Sequence, residues 1–168
     1  RNAMRQEHIF DVSATPLRVW SLLSDLEGYS LWHPRYTFAG RPEKGANILF
    51  SWRVIGDRRV RSGVNITCFK KPNGLAWKLS IIDALGYFEE SYEIEPIESG
   101  SRIRHTLVWG GLLGLVLRFT QRSMRETAQS HDAAFFSYLK KVSRSALHPN
   151  RHRRRSLNPM IRREAAND

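Results

Sequence analysis

The chain has 168 residues, of which 41% are hydrophobic and 11% aromatic, and it carries a formal net charge of +11. This length suits one hydrophobic core and is short for two domains, and the apolar content excludes an intrinsically disordered protein. The single cysteine, Cys68, excludes an intrachain disulfide and favours a reducing compartment. The longest apolar run, residues 112–117, is too short for a transmembrane helix, which needs about 20 residues. We therefore expect a soluble, cytoplasmic protein.

The start of the chain predicts a strand followed by two short helices. Residues 8–14 alternate between polar and apolar side chains, which is the period of a strand with two different faces. Pro16 suits the first turn of the next helix, where apolar residues at three-residue steps form one buried stripe. A second short helix is predicted to end at the Trp32-His33-Pro34 corner, because proline turns the chain away.

This opening resembles that of the SRPBCC superfamily, the START-related and polyketide-cyclase-like helix-grip proteins. The residues that carry the resemblance are Pro16, Val19, Trp20, Asp25, Tyr29, Trp32 and Pro34. The resemblance implies an α+β helix-grip domain over residues 4–142: a curved antiparallel sheet of six or seven strands around a long C-terminal helix, with two short helices after the first strand. It also implies an apolar cavity between the sheet and that helix. Relatives use this cavity for lipids, sterols, polyketides, quinones or hormones, some as enzymes and many without catalysis.

The segments after Pro34 read as further strands. They are predicted at about residues 36–40, 46–55, 59–69, 75–83, 87–95 and 102–109, separated by short turns rich in glycine, proline, asparagine and aspartate. Because every strand is close in sequence to the next, an antiparallel meander is favoured over a parallel sheet with crossover helices.

A single amphipathic helix is predicted from about Leu113 to Val142. Spacings of three, four or seven residues define one buried stripe, which the resemblance implies closes the open side of the sheet: Leu117, Met124, Ala128, His131, Phe135, Leu139 and Val142. The opposite, solvent-facing side is predicted to carry Arg118, Arg122, Arg125, Gln129, Asp132, Lys140 and Lys141.

Strand parity predicts which side chains face the concave side of the sheet. A slip of one residue would bury the arginines of the last strand, which fixes the choice of face. The inward faces are predicted to be Leu75, Trp77, Leu79, Ile81 and Asp83, then Phe88, Glu90, Tyr92 and Ile94, and finally Ile103, His105, Leu107 and Trp109.

A hairpin between the last two strands would place Tyr92 opposite His105, with Glu90 one inward step away. A buried carboxylate beside an imidazole shifts the pKa of both groups and can move protons, so Glu90 and His105 are the candidate catalytic pair. The alternatives are a hydrogen-bonded pair that only stabilises the core, and a Glu90 side chain that reaches solvent. His131 has two readings as well, a ligand contact or a packed core histidine.

The leading hypothesis is a protein that binds a small hydrophobic or amphipathic ligand, such as a lipid, a polyketide or an aromatic metabolite. The alternatives are a cyclase or dehydratase in which Glu90 and His105 shuttle protons, and an interaction module. Arg53 and Arg61 are predicted on the outer face of the sheet, although either could instead pair with an acidic ligand. The predicted ligand contacts are Trp32, Trp77, Phe88, Tyr92, His105, Trp109, Met124, His131 and Phe135.

No cofactor and no metal are expected. The sequence contains neither a phosphate-binding glycine loop of the P-loop or Rossmann type, nor a His-Glu-x-x-His or Cys-x-x-Cys pattern. It also lacks the cysteine and histidine pattern of a Rieske centre, which argues against a ring hydroxylase.

The two ends of the chain are predicted to be appendages. Residues 1–3 precede Met4 and are interpreted as a cloning remnant, and the charged residues after Met4 do not resemble a secretory signal. Residues 143–168 carry seven arginines against two acidic residues, which predicts a basic tail. This tail is either a solvated appendage or a segment that binds an anionic surface or nucleic acid, although no aromatic residues are interleaved for base stacking.

Overall fold

A seven-stranded antiparallel sheet dominates the computed structural model, which describes residues 3–54, 56–81, 85–117 and 121–147. Two compact units divide the chain after Phe136. The first contains the sheet and the candidate site, and the second is described only for residues 137–147. The strands are β1 (Met4–Val12), β2 (Tyr36–Ala39), β3 (Asn47–Arg53), β4 (Arg59–Lys70), β5 (Gly74–Ile81), β6 (Gly86–Ile97) and β7 (Gly100–Gly110).

The strand order β1-β7-β6-β5-β4-β3-β2 confirms the predicted meander, with β1 and β2 at its two edges. The alternating pattern predicted strand structure over residues 8–14, but β1 ends at Val12, where the chain bends towards the following helix. The α+β helix-grip fold is confirmed: short helices follow β1, and a long helix lies near the C-terminus.

The helices begin where local chemistry favours them. Helix α1 (Pro16–Leu23) has proline in its first turn, and the Thr15 side chain accepts a hydrogen bond from the Arg18 backbone N–H. A 3₁₀ helix over Glu27–Leu31 is the predicted second short helix.

The long C-terminal helix differs from its prediction at both ends. The helix predicted at about 113–142 corresponds to α2 (Gly111–Leu117) and α3 (Gln121–Leu147), and the residues between them lie outside the described ranges. Helix α3 also runs five residues past the predicted end at Val142, into the segment predicted as tail. The rest of the basic tail, residues 148–168, lies outside the described ranges.

The predicted inward faces are confirmed for every described side chain. Leu75, Trp77 and Leu79 of β5 are buried, and so are the predicted residues of β6 and β7. The register pairs Tyr92 with His105, as predicted from the short hairpin. Asp83 and the side chain of Ile81 lie outside the described part of the structure.

The turn that sets this register depends on Gly100. Its φ is +144°, and an added Cβ would lie 2.1 Å from the Val12 carbonyl oxygen and 2.8 Å from the Ala14 nitrogen. We expect Gly100→Ala to lower the free energy of unfolding by about 1–3 kcal/mol, because backbone strain and the clash act together. Urea denaturation measures this, with Gly45→Ala as the control, since Gly45 also has a positive φ but open space around it. Equal losses in the two variants would contradict the role of the Val12 contact.

No helix within the described ranges is long and apolar enough to cross a membrane.

Candidate functional site

Four ionisable side chains form a continuous chain through the interior. His8 Nδ1 of β1 lies 2.6 Å from Asp132 Oδ2 of α3, and Asp132 Oδ1 lies 2.8 Å from His105 Nδ1 of β7. His105 Nε2 in turn lies 2.7 Å from Glu90 Oε1 of β6. Glu90, His105 and Asp132 are buried, whereas the His8 side chain is partly exposed. The contact between Asp132 and His105 is an ion pair without the alignment of a hydrogen bond.

The two carboxylates determine the charge of His105. Burial alone would lower the pKa of His105, but Asp132 and Glu90, one beside each ring nitrogen, raise it to about 9. His105 is therefore a buried imidazolium at neutral pH. In that state it has no free nitrogen to accept a proton, and it stabilises the two acidic side chains.

Tyr92 and Tyr36 lie next to Glu90, at one end of this row of side chains. The Tyr92 ring stacks on His105 with centroids 4.3 Å apart, and its hydroxyl lies 3.4 Å from Glu90 Oε1, a long hydrogen bond. Burial, reinforced by the charge of Glu90, raises the pKa of both tyrosines well above its ordinary value. Both phenols are thus neutral hydrogen-bond donors near a carboxylate.

A second cluster contains two neutral imidazoles. His33 Nδ1 accepts hydrogen bonds from the backbone N–H groups of Arg35 and Tyr36, at 3.1 and 2.8 Å, so its proton lies on Nε2. The His33 ring stacks on Tyr36 and contacts His131, with centroids 4.0 and 4.2 Å apart. Burial and the neighbouring His131 lower the pKa of His33, and burial lowers that of His131 to about 4 although Glu90 opposes it.

A cavity of about 300 Å³ lies beside this second cluster, between the inner face of the sheet and α3. Most of its wall is aromatic or aliphatic, and its polar contributions come from two arginines, Tyr36, Thr127 and His131. The lining residues are Arg35, Tyr36, Phe50, Trp52, Arg53, Leu79, Phe88, Leu107, Trp109, Met124, Thr127 and His131.

The residues predicted to contact a ligand fall into two groups. One group lines the cavity: Phe88, Trp109, Met124 and His131. The other group is buried in the surrounding core and is not part of the lining: Trp32, Trp77, Tyr92, His105 and Phe135. The structure brings Glu90 and His105 together, but neither of them lines the cavity.

One predicted side-chain position is wrong. Asp132 was expected on the solvent side of the helix, yet it is 3% exposed and pairs with His8 and His105. Its spacing from Ala128 and Phe135 places it on the buried stripe, where partners compensate its charge. Arg53, at the end of β3, is exposed as expected, and it also borders the cavity. Arg61 is exposed, as expected.

Sequence reasoning missed several residues of the site. Strand alternation is the signal that identifies two of them: Tyr36 lies on the inner face of β2 and Phe50 on the inner face of β3. His8 and Arg35 carry no local signal, because their roles depend on partners far away in the sequence. Within the described ranges, no group of three or more His, Cys, Asp and Glu side chains is placed to hold a metal ion.

The fold and the internal cavity define a helix-grip protein of the α+β class. The sequence matches the family described as "Polyketide cyclase / dehydrase and lipid transport" over residues 5–135, and the chain belongs to that family. None of the curated proteins matches the sequence.

Solved structures support the same fold at low sequence identity. A protein from Arthrobacter aurescens has a TM-score of 0.63 and 17% identity, covering 82% of this chain and 86% of that protein. A protein of unknown function from Staphylococcus aureus has a TM-score of 0.69 and 6% identity, covering 84% and 96%. The di-domain aromatase/cyclase StfQ of the steffimycin biosynthetic pathway has a TM-score of 0.64 and 8% identity, covering 84% of this chain and 52% of StfQ.

Proposed function

We propose that this protein binds a small, mainly apolar ligand in the cavity beside α3. The observation that carries the proposal is a cavity of about 300 Å³ with aromatic and aliphatic walls and a few polar groups. Ligand pockets combine these properties, because apolar burial contributes roughly 25 cal/mol per Å² and a few polar groups orient the ligand. Membership of a family whose description includes lipid transport supports this reading.

The size of the cavity limits the ligand. Ligand pockets span about 300–1,000 Å³, so this cavity is at the lower limit. A compact aromatic compound or a short single chain fits such a volume, whereas a lipid with two long chains does not. Native mass spectrometry of the protein as purified, followed by solvent extraction, tests the proposal. We expect a retained small molecule or, for empty protein, saturable binding of small aromatic probes; failure of both contradicts the proposal.

Filling the cavity is expected to abolish ligand binding without unfolding the protein. Thr127 lines the cavity from α3, so Thr127→Trp should place an indole in the space that a ligand would occupy. We expect at least a tenfold loss of affinity for a small aromatic probe such as 2-naphthamide, by calorimetry, because the displaced ligand loses its apolar contacts. Gln129→Trp is the control, since Gln129 lies on the same helix but is exposed and outside the lining. Equal affinity in both variants would contradict a ligand site here.

A second candidate function is a cyclase or dehydratase, and the observation that favours it is the neutral state of His131. This imidazole lines the cavity with no hydrogen-bond partner at either ring nitrogen among the described residues, so one nitrogen is open to accept a proton from a bound substrate, but as a weak base because its pKa is about 4. Under this alternative, Glu90 and His105 do not contact the substrate, because they do not line the cavity, and they influence it through the residues that lie in between. Deuterium exchange at the acidic carbon of benzoylacetone, followed by NMR, tests it: wild type should accelerate exchange, His131→Gln should not, and no acceleration by wild type would contradict catalysis.

A further inference from the structure

We infer that the cavity is selective for an amphipathic carboxylate, whose acidic group lies between Arg35 and Arg53 and whose apolar body lies against the aromatic wall. This inference rests on the proposed ligand-binding function and names the chemical class of the ligand. For Arg53, pairing with an acidic ligand was the alternative to a place on the outer face, whereas no role was predicted for Arg35.

The two arginines are neighbours, Arg35 directly before β2 and Arg53 at the end of β3. The Arg53 backbone N–H donates a hydrogen bond to the Arg35 carbonyl oxygen at 3.0 Å, next to the paired residues Tyr36 and Trp52. Both residues border the cavity, and both are exposed. Guanidinium groups that share one site repel each other, and a carboxylate bound between them would offset that repulsion and accept charge-assisted hydrogen bonds from both.

Within the described ranges, neither Arg35 nor Arg53 forms an ion pair with an acidic side chain. The arginines of β7 differ in this respect. Arg102 binds Asp11 through two hydrogen bonds of 2.8 and 3.0 Å, and Arg104 lies 3.1 Å from Glu7. The sheet thus provides acidic partners for Arg102 and Arg104, whereas Arg35 and Arg53 have none among the described residues.

The order of the strands gives the proposed ligand an orientation in the cavity. Arg35 lies just before β2 and Arg53 at the end of β3, whereas the aromatic pair Phe88 and Trp109, with centroids 5.4 Å apart, lies on β6 and β7. Strands β3 and β6 are three steps apart, which corresponds to about 14 Å along the sheet. A ligand lying across β4 and β5 would therefore have a charged end and an apolar end.

His131 supplies a second indication that a polar ligand group belongs in the cavity. Its side chain is 1% exposed and lines the cavity, yet neither ring nitrogen has a hydrogen-bond partner among the described residues. A buried polar atom without a partner costs about 1–3 kcal/mol, so an uncompensated imidazole at this position favours a ligand that bonds to it. The positive charge of Arg35 also reaches His131, where it contributes to the lowered pKa.

The test compares two probes of nearly the same shape, 2-naphthoate and 2-naphthamide, by calorimetry at pH 7.5 and low salt. We expect 2-naphthoate to bind wild type about tenfold more tightly, because charge-assisted hydrogen bonds exceed neutral ones. Arg35→Gln and Arg53→Gln should each reduce this preference severalfold, and the double variant should abolish it. Arg59→Gln is the matched control, since Arg59 is exposed and does not line the cavity.

The outcomes separate this inference from the function on which it rests. If both probes bind wild type equally, or if Arg59→Gln reduces the preference as much as Arg35→Gln does, carboxylate selectivity is overturned while ligand binding stands. If neither probe binds at millimolar concentration, both proposals are overturned. A preference for 2-naphthoate that disappears only in the Arg35 and Arg53 variants supports the inference.

Discussion

Replacing His105 by leucine is expected to lower the free energy of unfolding by about 3–5 kcal/mol, the usual cost of removing one partner from a buried ion pair. His105 is fully buried and lies 2.7 Å from Glu90 and 2.8 Å from Asp132. Without the imidazolium, Glu90 loses its only cationic contact among the described residues, and two carboxylates remain in the same interior. Urea denaturation followed by tryptophan fluorescence measures the loss.

A double variant separates charge from packing. Glu90→Leu combined with His105→Leu removes both members of the buried pair, and we expect it to recover part of the stability lost in His105→Leu. Recovery would show that the unpaired carboxylate, rather than a badly filled space, causes the loss. A His105→Leu protein within about 1 kcal/mol of wild type, or a double variant no more stable than the single one, would contradict the ion-pair assignment.

The contact between Glu90 and His105 could be predicted because it depends only on local rules. Strand alternation selects the inward residues, and a short connection between β6 and β7 fixes which residues face each other. Tyr92 and His105 therefore come opposite each other, and Glu90 follows on the same face. These steps need no knowledge of the rest of the fold.

The other half of the site depends on contacts that local rules do not specify. Asp132 reaches His8, 124 residues away in the sequence, and this contact depends on how α3 is rotated against the sheet. A charged residue next to the apolar stripe of a helix is predicted to face solvent unless its partner is known. Arg35 directly precedes β2, so alternation assigns it no face, and Arg53 ends β3, where an exposed residue still borders the cavity. The volume of the cavity depends on the packing distance between α3 and the sheet, which no sequence pattern encodes.

His105 and His131 have opposite charge states for one physical reason. Both are buried, and burial opposes the charged form of each. His105 touches two carboxylates, which outweigh burial, whereas the nearest groups to His131 include His33 and the charge of Arg35 as well as Glu90. One imidazole therefore contributes a fixed positive charge to the core, and the other presents neutral nitrogens to the cavity.

These two histidines are expected to make stability greatest near pH 6.5 and lower on either side. The folded-state pKa of His105 is raised from 6.5 to about 9, so its contribution is fully present below pH 6.5 and is lost as pH rises through 9. The pKa of His131 is lowered from 6.5 to about 4, so its contribution is fully present above pH 6.5 and is lost as pH falls through 4. Each shift corresponds to about 3 kcal/mol.

Urea denaturation at intervals between pH 4 and pH 10 measures both limbs of this profile. His105→Gln should flatten the decline between pH 6.5 and 9 and leave the acid limb in place, because glutamine cannot bind the proton that His105 holds. His131→Gln should flatten part of the acid limb only, since His33 has a lowered pKa as well and adds a loss in the same direction. An alkaline limb that persists unchanged in His105→Gln would show that His105 is neutral in the folded protein, and the buried imidazolium would have to be abandoned.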